Sequence, residues 1–251
     1  MDHREAGTLT VERPTAASEL RVKVFADGAD LDGIRRLYAD PLIQGFTTNP
    51  TLMRKAGIAD YARFAHAMLE IVPDRPISFE VFSDEPAEME RQARRIASWG
   101  EHVYVKIPVT DTGGTPTGDV VRGLSSAGVK INVTGLMTLS QVERVASWIE
   151  GGPSVYVSVF AGRIADAGVD PVPVMRSAVE ILAGAPNAEL LWASPREILN
   201  VVQADQVGCH VITVTHDLLK KLSLLGRDLL EFSLETVRMF HDDAQAAGYT
   251  I

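Results

Sequence analysis

The stretch VYVKI, residues 103–107, has the make-up of a buried strand except for Lys106. Its valines and isoleucine share one parity, and β-branched residues at every second position suit a pleated surface packed against other elements. Burying an unpartnered ammonium costs several kcal/mol as an order of magnitude. The lysine therefore either snorkels out at the strand's end or is kept for its amine. Similar strand-like runs recur at residues 22–26 (VKVFA), 43–47 (IQGFT), 77–82 (ISFEVF), 130–134 (KINVT), 155–160 (VYVSVF), 189–193 (ELLWA) and 211–214 (VITV). Helical periodicity fills 30–38, 61–71, 85–99, 119–127, 139–149, 173–183, 195–203 and 216–224, many of them opened by Asp, Ser or Thr. About eight strand–helix units in 251 residues is the count that closes a single α/β (β/α)8 TIM barrel, with an open doubly wound sheet as the alternative.

Parity then separates the two faces of each strand. Ile77, Phe79 and Val81, Val103, Val105 and Ile107, Ile131 and Val133, and Val155, Val157 and Val159 form an apolar face suited to lie under helices. The opposite face carries Ser78 and Glu80, Tyr104 and Lys106, Asn132 and Thr134, and Tyr156, Ser158 and Phe160. In a closed barrel that second face points inward, where branched apolar filling is the norm. Asp27, Thr47, Glu80, Lys106, Thr134, Ser158 and Ser194 all fall near C-terminal strand ends, the rim where barrel enzymes keep their chemistry. Lys106 merely paired with Glu80 or Asp27 is the bland reading, and such buried pairs seldom gain stability over apolar packing.

Bulk properties narrow the function. A formal charge of −9 and a sequence pI near 5.2 argue against a nucleic-acid partner. No apolar run is long enough to span a bilayer, the N-terminus lacks the apolar core of a signal peptide, and the single Cys209 requires no oxidising compartment; a cytoplasmic protein is expected. The six histidines, His3, His66, His102, His210, His216 and His241, show no metal-ligand spacing, so neither metal nor other cofactor is expected. The domain reading is a flexible tail over 1–20, a catalytic barrel over 21–225, and a helical extension over 226–251, where Leu230, Leu234, Val237 and Phe240 keep helical spacing.

A desolvated lysine can present the neutral amine that attacks a carbonyl to form a Schiff base. Glu80, acting through water held by Thr134, could move the protons of dehydration, and Asp27 the proton of a substrate hydroxyl as a carbon–carbon bond breaks. Phosphoryl transfer and nicotinamide chemistry lack their glycine-rich fingerprints. In ASPRE, residues 193–197, Ser194 reads as an N-cap, Pro195 as the first helical residue and Arg196 as a first-turn cation, a pattern for phosphate or carboxylate; FAGR, ending at Arg163, adds a second cation.

These residues resemble the transaldolase family, including its smaller fructose-6-phosphate-aldolase-like branch. The resemblance rests on FADGAD (25–30), TTNPTLM (47–53), YVKIP (104–108), INVTGL (131–136), SVFAGRI (158–164) and WASPRE (192–197), in the family's order. It implies Lys106 as Schiff-base nucleophile, Asp27 as acid/base for cleavage, and Glu80 with Thr134 handling the water of imine formation. It further implies Asn49 and Asn132 holding the hydroxyls of a dihydroxyacetone unit, Thr47, Ser158, Phe160 and Ser194 flanking the site, and Arg163 and Arg196 binding phosphate. The partners implied are phosphorylated sugars, and the C-terminal helix resembles oligomerising tails, so a homo-oligomer is expected. Glu80 and Phe160 stand where aldolase-type members resemble glutamine and tyrosine, which ranks transfer of the three-carbon unit above its release. The TGGTPTGD loop (112–119), Val159 and Pro195 depart from the family pattern. A barrel that binds a sugar phosphate without turnover is the non-enzymatic rival.

Overall fold

Every strand-like run becomes a strand in the computed structural model, which describes residues 14–250. The strands are β1 (Lys23–Asp27), β2 (Ile43–Thr47), β3 (Ile77–Glu80), β4 (Val103–Pro108), β5 (Ile131–Leu136), β6 (Val155–Val159), β7 (Ala188–Trp192) and β8 (Val211–Thr215). All pair in parallel with their sequence neighbours, and β1 pairs with β8, which closes the barrel. Closure rules out the open-sheet alternative. The helices are α1 (Leu31–Tyr38), α2 (Pro50–Lys55), α3 (Tyr61–Ile71), α4 (Pro86–Ala97), α5 (Gly118–Ser126), α6 (Leu139–Trp148), α7 (Ala161–Asp166), α8 (Pro171–Leu182), α9 (Leu199–Val207), α10 (His216–Leu219) and α11 (Leu229–Ala247).

The apolar parity packs under the helices as expected: Ile77, Phe79, Val105, Ile107, Val133, Val157 and Val159 are completely buried there. The inner face forms a separate cluster of Phe25, Tyr104, Tyr156, Leu191, Ala193 and Val211. Phe25 meets Tyr156 edge-on at 5.5 Å between ring centres, and Tyr156 lies 4.3 Å from Tyr104. Gly45 makes room for this aromatic layer, since a Cβ there would lie 2.5 Å from Phe25 Cζ. The barrel interior is thus filled by large rings, with a Lys23–Glu189 ion pair at 2.6 Å below them, from the starts of β1 and β7, and the remaining inward polar groups gathered towards the upper rim.

Three local expectations are corrected. A helix over 195–203 is replaced by an irregular loop followed by α9, because Ser194 adopts a left-handed backbone (φ 62°) that cannot begin a helix. Asn200 Oδ1 accepts from Arg196 N at 2.7 Å and Glu197 N at 3.2 Å, so a downstream side chain takes the role assigned to Ser194. The helix over 216–224 is broken into α10 and a 3-10 turn at Leu222–Leu224. Two short helices, α2 and α7, were not anticipated: Asn49 caps the first, its Oδ1 accepting from Leu52 N at 3.0 Å, with Pro50 next in sequence.

Of the expected tail, residues 1–13 lie outside the described residues, while Ala17, which opens a 3-10 turn (Ala17–Glu19), and Leu20, which follows it, pack on the core. Helix α11 buries none of its residues, and Leu230, Val237 and Phe240 are all more than half exposed. No helix among the described residues is long and apolar enough to cross a membrane.

Candidate active site

All twelve residues singled out in the sequence line one cavity of about 510 Å³ at the C-terminal mouth of the barrel. Lys106 sits inside it at 7% exposure. Strand register makes Glu80 and Lys106 neighbours on β3 and β4, and places Asn132 beside Lys106 on β5. Lys106 Nζ donates to the Thr48 carbonyl at 3.0 Å and lies 3.4 Å from Glu80 Oε2. The pairing anticipated as the bland reading is therefore present, but within a cavity rather than in packed core.

Asp27 faces this pair from the end of β1. Its Oδ1 accepts from Thr47 Oγ1 at 2.7 Å, and that hydroxyl meets Thr213 Oγ1 at 2.5 Å. Burial raises the Asp27 carboxyl above the ordinary carboxylate range, and Glu80 adds to the effect; the nearby Lys106 charge and the Thr47 hydrogen bond pull the other way without cancelling it. A carboxyl so placed holds a proton more readily than one in water. That suits a group that must take up a proton and return it.

The opposite wall is a fixed polar chain. Ser158 Oγ donates to Asn132 Oδ1 at 2.7 Å, and Asn132 Nδ2 donates to Ser78 Oγ at 3.0 Å. Between them these bonds set the orientation of the Asn132 amide. Thr134 Oγ1 is buried without a partner among the described residues, and a hydroxyl in that state is a demanding donor and acceptor for whatever enters.

The cationic end of the cavity is formed by α7 and the loop after β7. Arg163 lies over the Phe160 ring at 5.8 Å. Arg196 is engaged: its Nε donates to Asp166 Oδ1 at 2.9 Å and its Nη1 to Ser194 Oγ at 2.9 Å. The same guanidinium holds the Asp166 carboxyl below its usual range. An anion arriving here meets one arginine in an exposed ion pair and a second, Arg163, exposed beside it.

The sequence reading missed Thr213, Thr48 and Lys55 as contributors to this mouth. Parity could have found Thr213, since it shares the inward face of β8 with Val211. Thr48 acts through its carbonyl and gives no side-chain signal. Cys209, by contrast, is a buried core residue whose thiol burial pushes up to about 12, which leaves it unreactive at neutral pH.

A recessed amine, two carboxylates, oriented amide and hydroxyl groups and an exposed cationic end can together bind a polyhydroxylated anion and form an imine with its carbonyl. A family model described as Transaldolase/Fructose-6-phosphate aldolase matches residues 24–251. Among curated proteins, a probable transaldolase of Thermoanaerobacter sp. (strain X514) is 34% identical over 231 residues, 92% of this chain and 100% of that protein. A probable transaldolase of Dehalococcoides mccartyi is 33% identical over 202 residues, 80% of this chain and 90% of that one. Probable transaldolase 2 of Listeria monocytogenes is 34% identical over 204 residues, covering 80% and 88% respectively. Among solved structures, a candidate lyase/mutase from Burkholderia cenocepacia J2315 superposes with a TM-score of 0.57 at 12% identity, over 93% of this chain and 86% of that one. KGPDC from Streptococcus mutans does so with a TM-score of 0.51 at 10% identity, over 78% and 88%. At such identities these two speak for the barrel fold alone.

Proposed function

The chain belongs to the transaldolase/fructose-6-phosphate aldolase family, and from that premise we propose that it is a transaldolase using Lys106 as Schiff-base nucleophile. The donor is a ketose phosphate of the sedoheptulose 7-phosphate or fructose 6-phosphate type, and the acceptor an aldose phosphate. The observation that carries this reading is the Lys106 amine, recessed in the cavity 3.4 Å from Glu80 Oε2.

Attack requires the unprotonated amine, and Glu80 is the adjacent acceptor for its proton. The nitrogen lone pair adds to the ketone carbon, and the oxygen takes up protons and departs as water, leaving an iminium. Glu80 and the unpartnered Thr134 hydroxyl handle that water. Asp27 then takes the proton of the C4 hydroxyl; the C3–C4 bond breaks, its electrons move to the iminium nitrogen, and an aldehyde leaves behind a three-carbon enamine. An incoming aldehyde is attacked by the enamine carbon, Asp27 returns its proton to the new alkoxide, and water hydrolyses the iminium. Asn49 and Asn132 hold the hydroxyls of the retained unit, Thr47, Ser158, Phe160 and Ser194 shape its surroundings, and Arg163 with Arg196 takes the phosphate. Binding phosphate draws on Arg163 directly and requires Arg196 to share its fork with Asp166.

This reading places the protein in pentose phosphate chemistry within carbohydrate metabolism, in the cytoplasm. The domain organisation that fits it is a catalytic barrel over 21–225 with an N-terminal tail and an extension over 226–251. The exposed apolar residues of α11 suit a second copy of the chain, which gives a homo-oligomer.

Borohydride reduction with fructose 6-phosphate is expected to add a three-carbon or sugar unit to a peptide containing Lys106. Label on another lysine, or on none with any ketose phosphate, removes the mechanism and leaves a sugar-phosphate-binding barrel. Turnover with erythrose 4-phosphate as acceptor is expected to exceed release of free dihydroxyacetone. Equal or greater release turns the assignment to the aldolase branch.

A further inference from the structure

Strand β3 loses one neighbour before it ends. Its pairing with β2 stops at Thr47 opposite Ser78, whereas on the other side it runs on to Glu80 opposite Lys106. The last bond on the β2 side is Thr48 N–H donating to the Ser78 carbonyl at 3.3 Å. The repeat of a parallel ladder makes Glu80 N–H the next donor, aimed at the Thr48 carbonyl, and then the amide of residue 50 the donor to the Glu80 carbonyl. Neither bond forms. The Thr48 carbonyl accepts Lys106 Nζ instead, and residue 50 is a proline with no N–H to offer.

Both backbone groups of Glu80 turn to a single side-chain oxygen. Tyr61 Oη accepts from Glu80 N at 2.8 Å and donates to Glu80 O at 2.8 Å. A phenol has one proton to give and can accept one, which matches the two vacant positions on the strand. Tyr61 is the first residue of α3, and its ring is held edge-on by Phe79 and Phe82, with ring centres 6.4 and 5.0 Å away, and against Trp99 at 6.0 Å. The hydroxyl is therefore supported by a wall of rings that makes no use of it.

We infer that Tyr61 is a positioning residue for the reaction: its hydroxyl stands in for β2 at Glu80, which leaves the Thr48 carbonyl free to hold the Lys106 amine beside the Glu80 carboxylate. The inference rests on the proposed role of Lys106. Without the phenol, the partly buried Glu80 N–H is left with the Thr48 carbonyl as its nearest ladder acceptor. Reclaiming that carbonyl draws the end of β3 towards β2 and takes from Lys106 the group that aims it.

The test is Tyr61→Phe, which keeps the ring and removes only the oxygen. Sites able to form the reducible adduct are counted by exhaustive borohydride trapping with fructose 6-phosphate, and the rate of adduct formation per competent site is measured separately. Wild-type protein that forms no adduct at Lys106 defeats the Schiff-base reading itself, whatever Tyr61 does. Given a wild-type adduct, Tyr61→Phe is expected to form the same adduct about a hundredfold more slowly per site, as for a reacting group moved by about 1 Å, with KM for the ketose phosphate unchanged. Trp99→Phe loosens the same wall without touching the Glu80 backbone, and is expected to keep the wild-type rate per site. Equal per-site rates in Tyr61→Phe and wild type overturn the inference, as does an equal loss in Trp99→Phe. Should Tyr61→Phe fail to fold, amide exchange in the wild-type protein decides. The Glu80 N–H is expected to be protected although no strand covers it, and exchange at the rate of a free amide refutes the inference.

Discussion

Substituting Gly162 by alanine tests whether the two arginine-bearing segments depend on one another. Gly162 lies in α7 against the loop after β7, and a Cβ built on it would fall 1.5 Å from the Ser194 carbonyl oxygen and 2.7 Å from its carbon. Restoring an ordinary contact of about 3.5 Å means separating them by about 2 Å. The obstacle is backbone, so no rotamer change relieves it, and Ser194 already holds a left-handed conformation that costs a non-glycine residue on the order of 1–3 kcal/mol. Forced overpacking of this kind costs about 1–3 kcal/mol, a fall in melting temperature of roughly 2–12 °C for a chain of this size. The larger effect is on function. Moving Ser194 moves the hydroxyl that receives Arg196 Nη1 and alters the spacing of Arg196 from Arg163, so kcat/KM for a phosphorylated donor is expected to fall by about a hundredfold or more. Gly123→Ala is the control: it lies on the exposed face of α5 with nothing within 4 Å of the added methyl, and alanine is favoured over glycine in a helix by about 1 kcal/mol. Thermal melts and steady-state kinetics on both variants suffice. A Gly162→Ala protein that melts and turns over like wild type would refute the close approach on which the reasoning rests.

Two further outcomes are expected. Because the Asp27 carboxyl is raised, chiefly by burial, its stabilising contribution is fully present below the unfolded value of about 3.9 and is lost as pH rises through the higher folded value; melts between pH 4 and pH 8 should show Asp27→Asn losing less stability with rising pH than wild type, while turnover falls by about 10²–10⁴-fold, and parallel stability curves for the two proteins count against the assignment. Val237→Glu, placed in the exposed apolar residues of α11, should reduce the mass measured by light scattering and leave the barrel's melting intact, whereas an unchanged oligomer places the subunit contact elsewhere.

The barrel is legible because its strands alternate so regularly: the run 43–47 coincides with β2, and parity alone puts Lys106, Glu80, Asn132 and Thr134 on one inward surface. Boundaries failed where side chains compete for backbone groups. Ser194-Pro195 has the look of a helix start, yet the Arg196 and Glu197 amides go to Asn200 Oδ1 from inside α9, and a serine in a left-handed turn looks no different in sequence from one at an N-cap. Helix α2 did carry its signal, Asn49 followed by Pro50, but six residues are too few for periodicity to register. What could not be read at all was the part of the site made by main chain. The carbonyl that holds Lys106 belongs to Thr48, and only the register of three strands puts it there.

The closely packed rings of Phe25, Tyr104 and Tyr156 leave the cylinder, among the described residues, with a single doorway. In the mechanism proposed above, whatever the lysine keeps would wait beneath that entrance while one sugar fragment departs and another takes its place. On that mechanism the two aldehydes could not come from opposite ends, so they would use the site in strict exchange, and the plugged floor, far from the bonds being made, would dictate the queue.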